Sequence, residues 1–145
     1  MKELAKLAIQ IDHQIQIPAS VVWSHLSDLH QFGKVHPIIC KVEEYGNGLW
    51  RLYERLPLGP FSFRFSYPVR LTVDAVEQIV RYQSTVLGLV SLDIRFHVRP
   101  DPASGSITHE VIEIKSRFPL ERYVASECEK YHRMVFENIE KVGRG

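Results

Sequence analysis

The sequence predicts an α+β fold in which one long helix lies on an antiparallel sheet. Three observations predict it. After Pro119 the chain runs to Gly143 without glycine or proline, and Val124, Cys128, Tyr131, Val135, Ile139 and Val142 recur at spacings of three and four. That spacing draws one apolar stripe on a helix. Most of the chain before it alternates apolar and polar residues with period two, as half-buried strands do. Turn-forming clusters separate these strands one after another, which suits a meander with one wet face. A single amphipathic helix after such a meander needs the dry face of the sheet to lie on.

The elements follow in order. Leu7, Ile9, Ile11, Ile15 and Ile17 alternate with Lys6, Gln10, Asp12, Gln14 and Gln16 in a first strand, with His13 on the apolar side. Pro18-Ala19-Ser20 breaks it, and Val21, Val22, Trp23, Leu26 and Leu29 continue at helical spacing. Ser27-Asp28 closes this helix or caps a second short one over Leu29 to Val35, which Pro37 stops. Ile38, Cys40 and Val42 then alternate with Ile39, Lys41 and Glu43, and Tyr45-Gly46-Asn47-Gly48 forms a turn. Trp50, Leu52, Glu54 and Leu56 share one side of the next strand, before a loop at Leu56-Pro57-Leu58-Gly59-Pro60. Phe61, Phe63, Phe65, Tyr67, Val69, Leu71 and Val73 face inward on a long strand, with Pro68 marking a bulge, a bend or an edge. Val80, Tyr82, Ser84 and Val86 form the next inward set, then a greasy turn at Leu87-Gly88-Leu89. Val90, Leu92, Ile94, Phe96 and Val98 follow, then an exposed loop from Pro100 to Gly105. The last strand, Ile107 to Arg117, is read with Glu110, Ile112, Ile114 and Ser116 inward. In the closing helix, Pro119 suits the first turn and Gly143 the residue past the end. Glu129 with Arg133 and Glu137 with Lys141 are i,i+4 pairs on its charged face.

With 145 residues, one domain over 1–145 is expected. A chain of this size buries roughly two-thirds of its unfolded surface, enough for a core and a cavity without disulfides. A net charge of +1 with no basic cluster argues against a nucleic-acid partner. Cys40 and Cys128 form no CxxC pair and read as reduced, buried thiols of a cytoplasmic protein. The N-terminal residues carry no apolar signal segment, and no run is long enough to span a membrane. There is no HExxH, P-loop, GxGxxG or GxSxG motif. No cofactor is therefore expected, and no metal, since His30 and His36 more simply face solvent.

The segment Ile15-x-Ile17-Pro18-Ala19-Ser20-x-Val22-Trp23-x-x-Leu26-Ser27-Asp28, with His36-Pro37, Gly46-Asn47-Gly48 and the Arg117-Phe118-Pro119 junction, resembles the START-like helix-grip family, also called the SRPBCC superfamily. The likeness covers nearly the whole chain. It implies a curved antiparallel sheet of about seven strands wrapped around the long C-terminal helix, with two short helices between the first and second strands. It also implies a tunnel between sheet and helix that takes lipids, isoprenoids, polyketides or similar hydrophobic or amphipathic molecules. The polyketide cyclase/dehydrase label common in this family follows the fold and says little about the reaction.

On this reading the ligand-facing residues are His13, Trp50, Glu54, Phe63, Phe65, Tyr82, Leu92, Ile94, Phe96, Glu110, Ile112, Val124, Cys128, Tyr131 and Val135. His13, Glu54 and Glu110 are the ionisable ones, and a buried charge needs a partner. They form a polar patch that orients a ligand or moves protons, or they sit at strand ends, or they pair with one another structurally. Tyr82, Ser84 and Tyr131 would add hydroxyls. Alternate turns of a meander share an end of the sheet, so Leu58, Leu87, Leu89 and Phe118 should meet at one rim. That rim is a cavity mouth, a cap on the core, a dimer interface or a peripheral membrane contact. Binding without catalysis is the leading expectation, and a cyclase or aromatase using the inward His and Glu residues is the rival. Ile139 and Val142 are expected to pack, and the earlier turns of the helix to face the ligand.

Overall fold

The computed structural model describes residues 5–103 and 105–144. Strand β1 (Ala5–Ile15) is followed by helices α1 (Ala19–Leu26) and α2 (Leu29–Val35). Strands β2 (Ile39–Gly46), β3 (Leu49–Leu58), β4 (Phe61–Asp74), β5 (Ile79–Val86), β6 (Val90–Asp101) and β7 (Gly105–Ser116) come next, and helix α3 (Glu121–Arg144) closes the chain. All seven strands form one antiparallel sheet in the order β1-β7-β6-β5-β4-β3-β2. The meander runs from β2 to β7, and β1 returns beside β7. Local chemistry sets the helix starts. Pro18 supplies the N-cap of α1 with φ −56°, and the Asp28 carboxylate accepts from the His30 N–H at 2.9 Å to cap α2.

The phase of β7 is as expected. Ser106, Thr108, Glu110, Ile112, Ile114 and Ser116 all face the interior and are buried. The β5–β6 turn and the β7–α3 junction are also neighbours. Val90 pairs with Ser116, and the Arg117 N–H donates to the Leu89 carbonyl at 3.1 Å.

Pro68 marks an edge. β3 and β4 pair without a break from Leu49↔Arg70 to Leu58↔Phe61, whereas β4–β5 pairing stops at Val69↔Ser84. Proline has no N–H to give a partner there. The far half of the β3–β4 hairpin therefore stands free on its β5 side, turning at Gly59-Pro60 rather than through a longer loop. Phe61 and Phe63 lie on this extension and are exposed, 76% and 43%, although their alternation marked them as inward.

Four other expectations are corrected. Cys40 is exposed, because a register shift between Ile39 and Lys41 breaks the alternation. Ile39 and Val42, three apart, take the inner positions instead. His36 is buried, while His30 stays exposed. Gly143 lies inside α3 rather than past its end, and a Cβ there would fall 2.6 Å from Ile17 Cδ1. Close approach to Ile17, just after β1, explains this glycine. Because Gly143 takes that contact, Val142 is turned about 100° away and is 61% exposed rather than packed. On α3 the expected Glu129–Arg133 pair forms at 2.9 Å.

Candidate functional site

Helix α3 packs chiefly on β1 and β7. Its first turns instead face β3, β4, β5 and β6 across a mainly apolar cavity of about 190 Å³. The strand alternation that fills the core near β1 and β7 thus leaves a hollow farther along the sheet. Of the residues named from the sequence, Glu54, Phe65, Tyr82, Leu92, Ile94, Val124, Cys128 and Tyr131 line this hollow. His13, Trp50, Phe96, Glu110, Ile112 and Val135 are buried behind its wall. Phe63 lies outside it and stacks on Phe65 at 5.4 Å between ring centroids. Leu58, Leu87, Leu89 and Phe118 are also outside the wall, the first, second and fourth of them exposed. Their strands lead there from lining residues, since Leu56, Val86 and Val90 belong to the cavity.

The sequence reading missed His132, His36 and Tyr67, all of which line the cavity. His132 is the centre of the polar chemistry. Glu110 is completely buried and each of its oxygens meets a histidine. Oε1 lies 2.8 Å from His13 Nε2, and Oε2 is bonded to His132 Nδ1. The His13 ring in turn stacks on Phe136, with centroids 3.8 Å apart and planes within 6°. β1, β7 and α3 each contribute one member, so this cluster ties helix to sheet. A signal did exist: an inward Glu110 demands a counter-charge, and His132 stands four residues after Cys128 on the apolar face.

Burial alone would push the Glu110 carboxyl up, but His132 and His13 outweigh it and hold the group below its usual range. Burial likewise opposes a charge on His132, and the Glu110 carboxylate overcomes it and raises the imidazole. Both shifts favour the ion pair, a protonated His132 against the Glu110 carboxylate. His132 Nε2 makes no hydrogen bond among the described residues, and the ring lines the cavity.

A second polar pair stands on β3 and β4. The Tyr67 hydroxyl donates to Glu54 Oε2. Burial raises Glu54, against the opposing pull of Tyr67 and His132, and burial also drives Tyr67 well above the usual phenol range. The Tyr82 hydroxyl is not free for a ligand, because it donates to the Leu26 carbonyl at 2.6 Å. His36 lies 6.1 Å from His132 between ring centroids. Burial first, and the His132 charge second, lower it to about 3. Burial pushes the Cys128 thiol up to about 12, with help from Glu110 and Glu54. His13, Glu54 and Glu110 therefore do not meet at one ligand position. His13 and Glu110 bond directly behind the wall, and His132 links that pair to Glu54, since both carboxylates raise its imidazole. Among the described residues no group of three His, Cys, Asp or Glu side chains is arranged to hold a metal ion.

No family model matches the chain, and no curated protein matches it in sequence. Solved structures do match in shape. The structure of Ara h 8.0201 superposes with a TM-score of 0.77 at 12% identity, covering 95% of this chain and 97% of that one. The di-domain aromatase/cyclase BexL from the BE-7585A biosynthetic pathway gives 0.74 at 11% identity, over 97% of this chain and 50% of that one, so this chain spans half its length. Norcoclaurine synthase from Thalictrum flavum gives 0.71 at 17% identity, over 97% and 87%. At these identities the likeness concerns the fold alone: the chain has the helix-grip architecture, a seven-stranded antiparallel sheet with a long C-terminal helix.

Proposed function

We propose that the protein binds a hydrophobic or amphipathic small molecule, such as a lipid, an isoprenoid or a polyketide-like compound, between the sheet and α3. The observation that carries this reading is the cavity itself. It is mainly apolar, with His132 and the Glu54–Tyr67 pair as polar fixtures in its wall, the usual make-up of a small-molecule site. Exposed Leu58, Leu87 and Phe118, with half-buried Leu89, form the rim through which a ligand enters. The exposed free thiol of Cys40 supports a reducing, cytoplasmic setting. No helix is long and apolar enough to cross a membrane. Titration with a neutral fluorescent apolar probe tests the reading. Ile94→Trp places an indole in the hollow and should weaken the probe at least about tenfold, with an unchanged circular dichroism spectrum. Unchanged affinity would count against the cavity.

A second reading is proton-transfer catalysis of the cyclase kind. The Glu110–His132 ion pair at the wall favours it, because a carboxylate that orients an imidazole is a common acid–base device. Polyketide-like substrates that turn over with wild type, and not with His132→Asn, would select this reading over binding alone.

A further inference from the structure

The polar cluster behind the cavity has one unused valence. His132 gives Nδ1 to Glu110, and Glu110 gives its other oxygen to His13, so these contacts lead away from the ligand space. The ring lines the cavity, and Nε2 is its nitrogen with no hydrogen bond among the described residues. We propose that His132 anchors a carbonyl group on an otherwise apolar ligand, its Nε2–H donating to the carbonyl oxygen, with Glu110 and His13 as positioning residues behind it. This rests on the cavity being a binding site.

The charges in the wall select the head group. A fully buried carboxylate must be neutralised nearby; His132 presents Nδ1 to Oε2 of that carboxylate, and Glu110 raises the imidazole, which favours the doubly protonated ring and so a donor at Nε2. The groups around His132 are Glu110 from β7, His13 beyond it from β1, His36 just after α2 and Glu54 from β3, while Cys128 shares the cavity wall with it. An amine would bring a second cation against His132. A carboxylate would bring a further anion beside Glu110 and Glu54. A neutral carbonyl accepts the hydrogen bond and adds no charge to a low-dielectric site. His36 is held neutral, so it adds no competing cation.

The experiment measures displacement of neutral N-phenylnaphthylamine from the full chain by methyl heptyl ketone and by the amine of the same carbon skeleton. The ketone should act at about tenfold lower concentration than the amine, the range of one hydrogen bond from a charged donor. The carbonyl stretch of the bound, isotope-labelled ketone should move to lower frequency. His132→Asn is the informative variant. Its amide nitrogen can replace Nδ1 against Glu110, while nothing replaces Nε2. The probe should still bind, the ketone preference should fall to within about twofold, and the frequency shift should vanish. Probe binding with no ketone preference in the wild type, or a shift that survives in His132→Asn, overturns the anchor and leaves the cavity reading standing. Absence of probe binding overturns both. If His132→Asn does not fold, the preference and the frequency shift of the wild type alone still decide the matter.

Discussion

His36 should make the protein acid-labile by an amount that the structure sets. The imidazole is 8% exposed, and its Nδ1 accepts from the Ile38 N–H at 3.3 Å. Phe32, Tyr131 and His132 surround it with ring centroids 5.5, 6.0 and 6.1 Å away. Burial, and then the His132 cation, take it from 6.5 to about 3. The folded value lies below the unfolded one, so the unfolded chain takes up the proton first. Stability is therefore lost as the pH falls below about 6.5, and the loss continues to about pH 3. At about pH 5 the gap amounts to roughly 1.5 pH units, or about 2 kcal/mol. The contrast is His36→Asn, whose side-chain oxygen can still accept from Ile38 N–H but cannot titrate. Urea unfolding of both proteins at about pH 7.5 and about pH 5 separates this group from the rest. Glu110 acts in the same direction: its contribution is present above its unfolded value and fades as the pH falls through its lowered folded value. His132 contributes below its unfolded value, and that contribution fades as the pH rises through its raised one. Both terms are common to the two proteins and cancel. Wild type should lose about 2 kcal/mol more than the variant, near 1 M in urea midpoint. Equal losses, to within about 0.5 kcal/mol, would refute the reasoning.

Glu110→Gln removes the charge that both histidines answer and should cost about 3 kcal/mol at neutral pH; urea unfolding that shows less than about 1 kcal/mol would reduce the cluster to ordinary packing. Iodoacetamide should label Cys40 in the folded protein and Cys128 only after denaturation, because Cys40 is exposed and Cys128 is pushed up to about 12. Intact-mass analysis of Cys40→Ser should then show no label, and a fast single adduct would contradict a Cys128 thiol pushed up to about 12. Gly105→Ala should cost at least about 2 kcal/mol, since φ is +118° and the new Cβ would sit 2.6 Å from Ile17 N and 2.7 Å from Ile15 O. An unchanged melting temperature would show that the β6–β7 turn relaxes at no cost.

The architecture was legible because periodicity reports burial directly, and the period changes from two to 3.6 at each boundary that matters. What escaped depends on relations the periodicity does not carry. The slip at Cys40 comes from pairing with β3, and nothing within β2 announces it. Phe61 and Phe63 keep an inward phase, yet the sheet has no β5 partner beside them. Whether an inward residue touches a cavity or packs depends on how far the helix stands off, as Leu92 and Phe96 show: both are inward on β6, and only Leu92 lines the hollow. His132 escaped because a stripe drawn through apolar side chains passes over a histidine. Its burial is dictated by Glu110, 22 positions earlier in the chain.

Helix α3 must pack on the sheet and also line the hollow, and its sequence meets the two demands on neighbouring faces. With about 100° per residue, Cys128 and Tyr131 fall within roughly 40° of Val124, and these three line the cavity. Ala125, Phe136 and Ile139 fall roughly 60–120° further round and are buried without lining it. His132 lies at about 80°, within the packed face, yet its ring also lines the cavity. One edge of its ring can therefore bond Glu110 within the packed layer while the other borders the ligand space. Substitutions at Val124 or Cys128 should then change ligand preference with little effect on stability, and those at Phe136 or Ile139 the reverse. At His132 both properties should change together, because it is the one ionisable side chain of α3 that both bonds the packed layer and lines the cavity.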